Sequence, residues 1–223
     1  MLRNGKSETV LAIQTAGLVP VFSTSNISAA KDVAEAVADA NCPTLEFTNR
    51  APGAAKVFAE LADFCALKLP NMLLGAGSIV DPYTAAIYLN HGAQFIVGPT
   101  LCADTAKLCN LRGVPYSPGC GSPTEISEAL RLGVEIVKIF PGDTVGGPAF
   151  VKAVLGPMPW VKTMITGGVK ATPDSIREWI KSGATVLGIG SNLIRKDWIE
   201  AENFDAIKQL TANVLGWIRE ARP

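Results

Sequence analysis

The sequence predicts an α/β protein: a single (β/α)8 TIM barrel over residues 1–223, with an N-terminal helix ahead of its first strand. Three observations lead there. Eight short apolar runs alternate with longer amphipathic runs, the pattern of parallel strands joined by helical crossovers. Helical runs end on a glycine that leads straight into the next strand, in 92-GAQFIVG-98, 133-GVEIVKIF-140 and 183-GATVLGIG-190. Eight such units fit a chain of 223 residues, slightly below the ~250 common for this barrel. An open doubly wound sheet is the competing arrangement, and no linker or low-complexity stretch divides the chain.

Taken in order, a helix over 5–16 precedes the strands 18-LVPVFST-24, 44-TLEFTN-49, 71-NMLLGAGS-78, 94-QFIVGPT-100, 114-VPYSPG-119, 135-EIVKIFPG-142, 162-KTMITGG-168 and 185-TVLGIGS-191. Helices are expected between them, among them 28-SAAKDVAEAVADA-40, 53-GAAKVFAELADFCAL-67 and 173-PDSIREWIKSG-183. Asp81-Pro82, Ser122-Pro123 and Thr172-Pro173 each join a capping residue to a proline suited to the first helical position. Glu125 completes a capping box with Ser122. The Pro/Gly cluster at 141–159 reads as a strand–helix loop holding a short helix, and 202-ENFDAIKQLTANVLGWIREA-221 as a terminal amphipathic helix.

Composition removes several function classes. Lys plus Arg and Asp plus Glu are 20 each, which gives no electrostatic case for nucleic acid. No apolar run is long enough to span a bilayer, so no membrane partner is expected. The start, MLRNGKSETVLAIQ, lacks a signal-peptide pattern, and five cysteines without a CxxC suit reduced thiols in a cytoplasmic protein. The first GxG, 75-GAGS-78, is not a dinucleotide fingerprint.

Strand alternation then selects residues. In the sixth strand Ile136, Lys138 and Phe140 share one face, opposite Val137 and Ile139. Helices cover the outside of such a barrel, so Lys138 points inward, near the carboxyl end where these sites lie. In the second strand Thr44, Glu46 and Thr48 share a face, and Arg50 follows at the mouth. In the seventh, Met164 and Thr166 share a parity, and Gly167-Gly168 open the loop. A buried Lys138–Glu46 ion pair without chemistry is the alternative, but such a pair is a poor stabiliser, because desolvation offsets its attraction.

A buried lysine has its own chemistry. Burial disfavours the ammonium, and the neutral amine forms Schiff bases with carbonyls. A nearby glutamate can move the protons that carbon–carbon cleavage requires. The protonated imine is itself the electron sink, so neither metal nor cofactor is called for.

The phrases 43-PTLEFTNR-50, 75-GAGSIVDP-82, 92-GAQFIVGP-99, 137-VKIFPGD-143, 146-GGPAFVKAVLGP-157, 166-TGGV-169 and 188-GIGSNL-193 occur in that order at consistent spacing. In them the sequence resembles the 2-keto-3-deoxy-6-phosphogluconate (KDPG) and 4-hydroxy-2-oxoglutarate (KHG) aldolases, a class I family, over about residues 18–195. The resemblance implies cleavage of KDPG to pyruvate and glyceraldehyde 3-phosphate, an Entner–Doudoroff setting and a homotrimer. It implies that Lys138 is the Schiff-base lysine and Glu46 the general acid/base, working through a water. It places Arg50 and Ser78 on the keto acid's anionic part, Ser78 standing where the family usually has threonine, and Thr166 in the pocket lining. Gly167, Gly168, Gly190 and Ser191 match the phosphate-binding turns. Glycine turns after the last two strands also suit an anion on physical grounds, though they can equally serve as tight turns alone.

Three departures from the family pattern bear on substrate. The stretch 19-VPVFSTSN-26 lacks a basic residue at the end of strand one, Gly98 stands where serine is common, and Asn49 before Arg50 is unusual. Another keto-acid aldolase (for KHG, or for a different 2-keto-3-deoxy sugar acid) and a non-catalytic phosphate-binding barrel are the rival functions. His91, the sole histidine, reads as a surface or capping residue; Cys102 and Cys109 read as core. Cys120 lies near the mouth without an activating neighbour, and Asp143 reads as a loop cap or mouth residue.

Overall fold

A computed structural model describes residues 5–222, so residues 1–4 and 223 of the expected domain lie outside it. The chain runs α1 Lys6–Ala16, β1 Leu18–Phe22, α2 Ile27–Asp39, β2 Thr44–Thr48, α3 Ala54–Lys68, β3 Leu73–Gly77, α4 Pro82–Asn90, β4 Ile96–Val97, α5 Ala103–Arg112, β5 Tyr116–Ser117 and β6 Gly119–Cys120. It continues α6 Pro123–Arg131, β7 Val137–Ile139, α7 Gly147–Leu155, β8 Thr163–Thr166, α8 Pro173–Lys181, β9 Val186–Ile189, α9 Lys196–Glu200 and α10 Phe204–Ala221.

The strands form one parallel sheet in the order β5-β4-β3-β2-β1-β9-β8-β7-β6. Its two ends, β5 and β6, are the halves of the fifth expected strand. Pro118 divides them, because it has no N–H to give the ladder. Its carbonyl still accepts from the Lys138 amide at 3.0 Å, while Ser117 O accepts from the Gly98 amide at 3.1 Å. The chain itself therefore joins the sheet's two ends, and the eight-unit barrel closes. The strands prove shorter than their apolar runs. The sixth shrinks from 135–142 to Val137–Ile139 and the fourth to Ile96–Val97, although flanking amides such as Gln94 and Phe140 still donate to the Leu74 and Cys120 carbonyls of the neighbouring strands.

The helix signals hold with one exception. Asp81 Oδ1 accepts from the Thr84 amide at 2.8 Å and Ser122 Oγ from the Glu125 amide at 3.3 Å. Glu125 reaches back past Ser122 to the Gly121 amide at 2.8 Å. Thr172 makes no side-chain cap. Gly92, Gly133 and Gly183 all take positive φ just beyond their helices, as left-handed stops do.

Two apolar cores result. Outward strand residues such as Leu45, Phe47, Val137, Ile139, Ile165 and Leu187 pack under the helices. Val19, Val21, Leu73, Phe95, Ile136, Met164 and Val186 fill the barrel together with Ile13 of α1. Helix α1 thus plugs the amino-terminal end of the barrel. Lys6 Nζ fixes its start to Glu135 Oε1 at 2.7 Å and Asn110 Oδ1 at 2.8 Å. At its far end the Arg222 guanidinium, just past α10, donates to the Gln14, Thr15 and Thr185 carbonyls. With that end closed, the opposite rim carries the site.

Candidate active site

Lys138 stands on β7 between Val137 and Ile139, both turned to the helices, so its own side chain enters the barrel as strand alternation requires. Only 4% of it is exposed, and its Nζ lies 4.7 Å from the centre of the Phe140 ring. Glu46 enters from β2 and is 1% exposed. No ion pair joins the two among the described residues, and Glu46 Oε2 is buried without a hydrogen-bond partner. The inert buried pair weighed from the sequence therefore does not form. Burial raises the Glu46 carboxyl, against the opposing pull of the Lys138 and then the Arg50 charge. Burial likewise lowers the Lys138 amine; Glu46 works against that shift and Arg50 adds to it.

The room for Glu46 is made by glycine. Gly75 lies opposite Glu46 in the sheet register, with Gly77 two residues on, both on the inner face of β3. A Cβ at Gly77 would overlap the Glu46 carboxylate, and one at Gly75 would overlap the Phe95 ring. In the 75-GAGS-78 run, which is no nucleotide motif, Gly75 and Gly77 leave that stretch of the inner wall without side chains.

Arg50 sits in the turn after β2, where its Nε donates to Ser78 Oγ at 3.0 Å. Ser78 follows β3 with a φ of 59°. Asn49 faces away from the mouth, and its Oδ1 accepts from the buried Tyr88 hydroxyl at 3.0 Å. The unusual Asn49 thus ties the turn to α4. At the other unusual position, Gly98 leaves space filled by the Tyr116 hydroxyl, which donates to Thr100 O at 3.1 Å.

Arg50, Thr166, Gly167, Gly168, Gly190 and Ser191 come together around a pocket of about 400 Å³ at the rim. Lys138, Glu46 and Ser78 are outside its wall. Phe140, which lies over the Lys138 amine, is part of that wall, so the amine is one side chain from the space. The Thr166 hydroxyl is buried without a hydrogen-bond partner among the described residues. The two turns differ in kind. Gly167 and Gly168 have positive φ, and a Cβ at Gly168 would collide with Asp143, whose Oδ1 caps its own turn through the Thr144 amide at 2.9 Å. Gly190 has only Val21 O nearby, 3.7 Å from where a Cβ would be, so its lack of a side chain is not a packing demand.

Eleven wall residues were not named as site residues from the sequence, among them Ser23, Phe140, Asn192 and Lys196. Phe140 shares the parity of Lys138, and Asn192 falls within the 188-GIGSNL-193 phrase, so both had a signal. Asn192 Nδ2 donates to Val169 O at 3.1 Å and locks the two turns together. Ser23 and Lys196 had no local signal. The bland readings of the other reactive side chains stand: His91 caps α4, while Cys120 faces the helices and burial pushes its thiol up to about 12. Cys109 is buried, whereas Cys102, expected in the core, is only half-buried at the start of α5.

Against known families, the model for KDPG and KHG aldolases matches residues 10–210. The chain belongs to this aldolase family. It is 30% identical to the 2-dehydro-3-deoxy-phosphogluconate aldolase of Haemophilus influenzae over 202 residues, 91% of this chain and 92% of that one. The crystal structure of KDPG aldolase from Legionella pneumophila, with pyruvate captured at low pH as a covalent carbinolamine, superposes with a TM-score of 0.83 at 27% identity, covering 91% of this chain and 96% of that one. The KDPG aldolase of Zymomonas mobilis ZM4 with 3-phosphoglycerate gives a TM-score of 0.82 at 25% identity, covering 96% and 98%. The barrel expected from the sequence and the aldolase class both stand.

Proposed function

We propose that this aldolase cleaves KDPG into pyruvate and glyceraldehyde 3-phosphate through a Schiff base on Lys138. The observation that carries the reading is the buried Lys138 amine, its pKa lowered, set beside a Glu46 carboxyl that no ion pair neutralises. The neutral amine attacks C2 of the keto acid, and loss of water from the carbinolamine leaves a protonated imine. Glu46, acting through a water, takes the proton of the C4 hydroxyl. The C3–C4 bond breaks, the aldehyde departs, and the electron pair enters the imine as an enamine. Protonation at C3 and hydrolysis of the imine then release pyruvate and the free amine. Arg50 and Ser78, already hydrogen-bonded to each other, are assigned to the substrate's carboxylate end, and Thr166 to the pocket lining. Gly167, Gly168, Gly190 and Ser191 are assigned to the phosphate.

Two relatives support this reading: one holds pyruvate covalently and one carries a phosphorylated three-carbon acid. A second reading, KHG or another non-phosphorylated keto acid as substrate, is favoured by the end of β1, where Ser23 brings no cation to the pocket. The homotrimer implied by the resemblance belongs to the same proposal.

A substrate comparison with one variant tests it. Wild-type kcat/KM should be higher for KDPG than for KHG, and inorganic phosphate should compete with KDPG. Gly190→Ala should then lower kcat/KM mainly for KDPG, because its added methyl blocks close approach of an anion to the backbone and meets no protein atom closer than 3.7 Å. Gly168 variants cannot serve, since they also displace Asp143. Equal kcat/KM for both substrates, with the Gly190 variant losing both alike, would move the substrate to the non-phosphorylated acids and leave the lysine chemistry in place.

A further inference from the structure

The rim pocket is lined by two charged side chains, both cationic: Arg50 on the β2 side and Lys196 on the β9 side. Arg50 is engaged with Ser78. Lys196 stands beyond the Gly190-Ser191 turn, at the start of α9. Its neighbour Arg195 has no part in the pocket wall. That guanidinium pairs with both oxygens of Asp197, at 3.0 and 2.7 Å, and stacks 5.0 Å from the Trp198 ring. Lys196 by contrast is in loose contact with Glu200 Oε1, 3.4 Å away, with its side chain 89% exposed. Such a pair is weak and easily exchanged for another anion. The carboxylates that could retain it lie on the other side: Glu200, Glu202 and Asp32 line the neighbouring groove, whose wall also includes Lys196, while none lines the rim pocket.

We propose that Lys196 is a specificity-determining residue: it leaves Glu200 on substrate binding and pairs with the substrate's distal phosphate, held at its other side by the backbone of the glycine turns. This rests on the phosphorylated-substrate reading above. It supplies the cation that the end of β1 lacks, and it explains why one lysine borders both an anion-suited pocket and an acidic groove. A lysine acts here as a mobile point charge, which suits a residue that must change partners. An amine held only by Glu200 and water would instead be a solvated helix face, and substrate would not sense its loss.

The test is the ratio of kcat/KM for KDPG over KHG, in the wild type and in Lys196→Met, Lys196→Arg, Glu200→Gln and the Lys196→Met/Glu200→Gln double variant. Lys196→Met should lower that ratio about tenfold, as expected for loss of a solvent-exposed charge-assisted bond, and should raise the Ki of inorganic phosphate. Lys196→Arg should recover most of the ratio. Glu200→Gln should lower the phosphate Ki, and that effect should vanish in the double variant, since it acts through Lys196. Pyruvate trapping by borohydride checks that each variant retains a working amine. A wild type that prefers KDPG and is inhibited by phosphate, with the ratio unchanged in Lys196→Met, overturns the Lys196 role and spares the substrate reading. A Glu200→Gln effect that persists in the double variant overturns the exchange of partners. A wild type with no preference and no phosphate inhibition overturns both.

Discussion

Gly77→Ala puts the geometry of the buried carboxylate to a quantitative test. The methyl would stand 2.8 Å from Glu46 Cγ and 2.5 Å from Cδ, with the carboxylate oxygen closer still. Glu46 is 1% exposed and walled by strands, so it cannot step aside without repacking the barrel. Overpacking of this kind costs about 1–3 kcal/mol, which for a chain of this size lowers Tm by roughly 2–12 °C. The displaced carboxyl would also lose its place for the proposed proton transfer, a function worth roughly 10²–10⁴ in kcat. Circular dichroism melting and steady-state cleavage kinetics measure the two effects. A Glu46→Gln background separates them: there Gly77→Ala should still lower Tm but add little to the loss of kcat, because the base is already gone. Unchanged Tm with kcat within about threefold of wild type would refute the packing of Glu46 against β3. Fully multiplicative kcat losses would refute its link to proton transfer.

Further outcomes follow from single contacts. The rate of pyruvate trapping should rise with pH through an apparent pKa below the ordinary lysine value of 10.5, since burial favours the neutral amine; a midpoint at or above 10.5 would contradict the desolvation. Tyr88→Phe removes the bond to Asn49 Oδ1 and should lower stability by about 0.5–1.5 kcal/mol; a raised Tm would show that the bond holds nothing. The Cys120 thiol, buried and pushed up to about 12, should react with a thiol reagent at pH 7.5 far more slowly in the native protein than after unfolding; equal rates would contradict its burial.

Most of the barrel was legible in the sequence because its signals are local. Caps at Asp81 and Ser122, stops at Gly92, Gly133 and Gly183, and the two-residue alternation around Lys138 and Glu46 each lie within a few positions of the residue they govern. What escaped depends on contacts between distant segments. The emptiness of Gly75 and Gly77 has meaning only once β2 and β3 are in register and Glu46 and Phe95 occupy the vacated space. The split of the fifth strand needed the knowledge that Pro118 falls within the ladder and not at its edge. Thr172 has the sequence of a cap yet makes no cap bond; instead the nearby Ser175 hydroxyl accepts from the Lys170 amide at 3.1 Å. Lys196 joins the pocket through the path of the β9–α9 segment, which no periodicity encodes.

The central claim is that the amine of Lys138 is the nucleophile. Incubating the protein with pyruvate and sodium borohydride, then locating the reduced adduct by peptide mass spectrometry, tests it most directly. A single adduct on Lys138, absent from Lys138→Ala, is the predicted result. An adduct on another lysine, or no adduct from enzyme that turns over substrate, would contradict it.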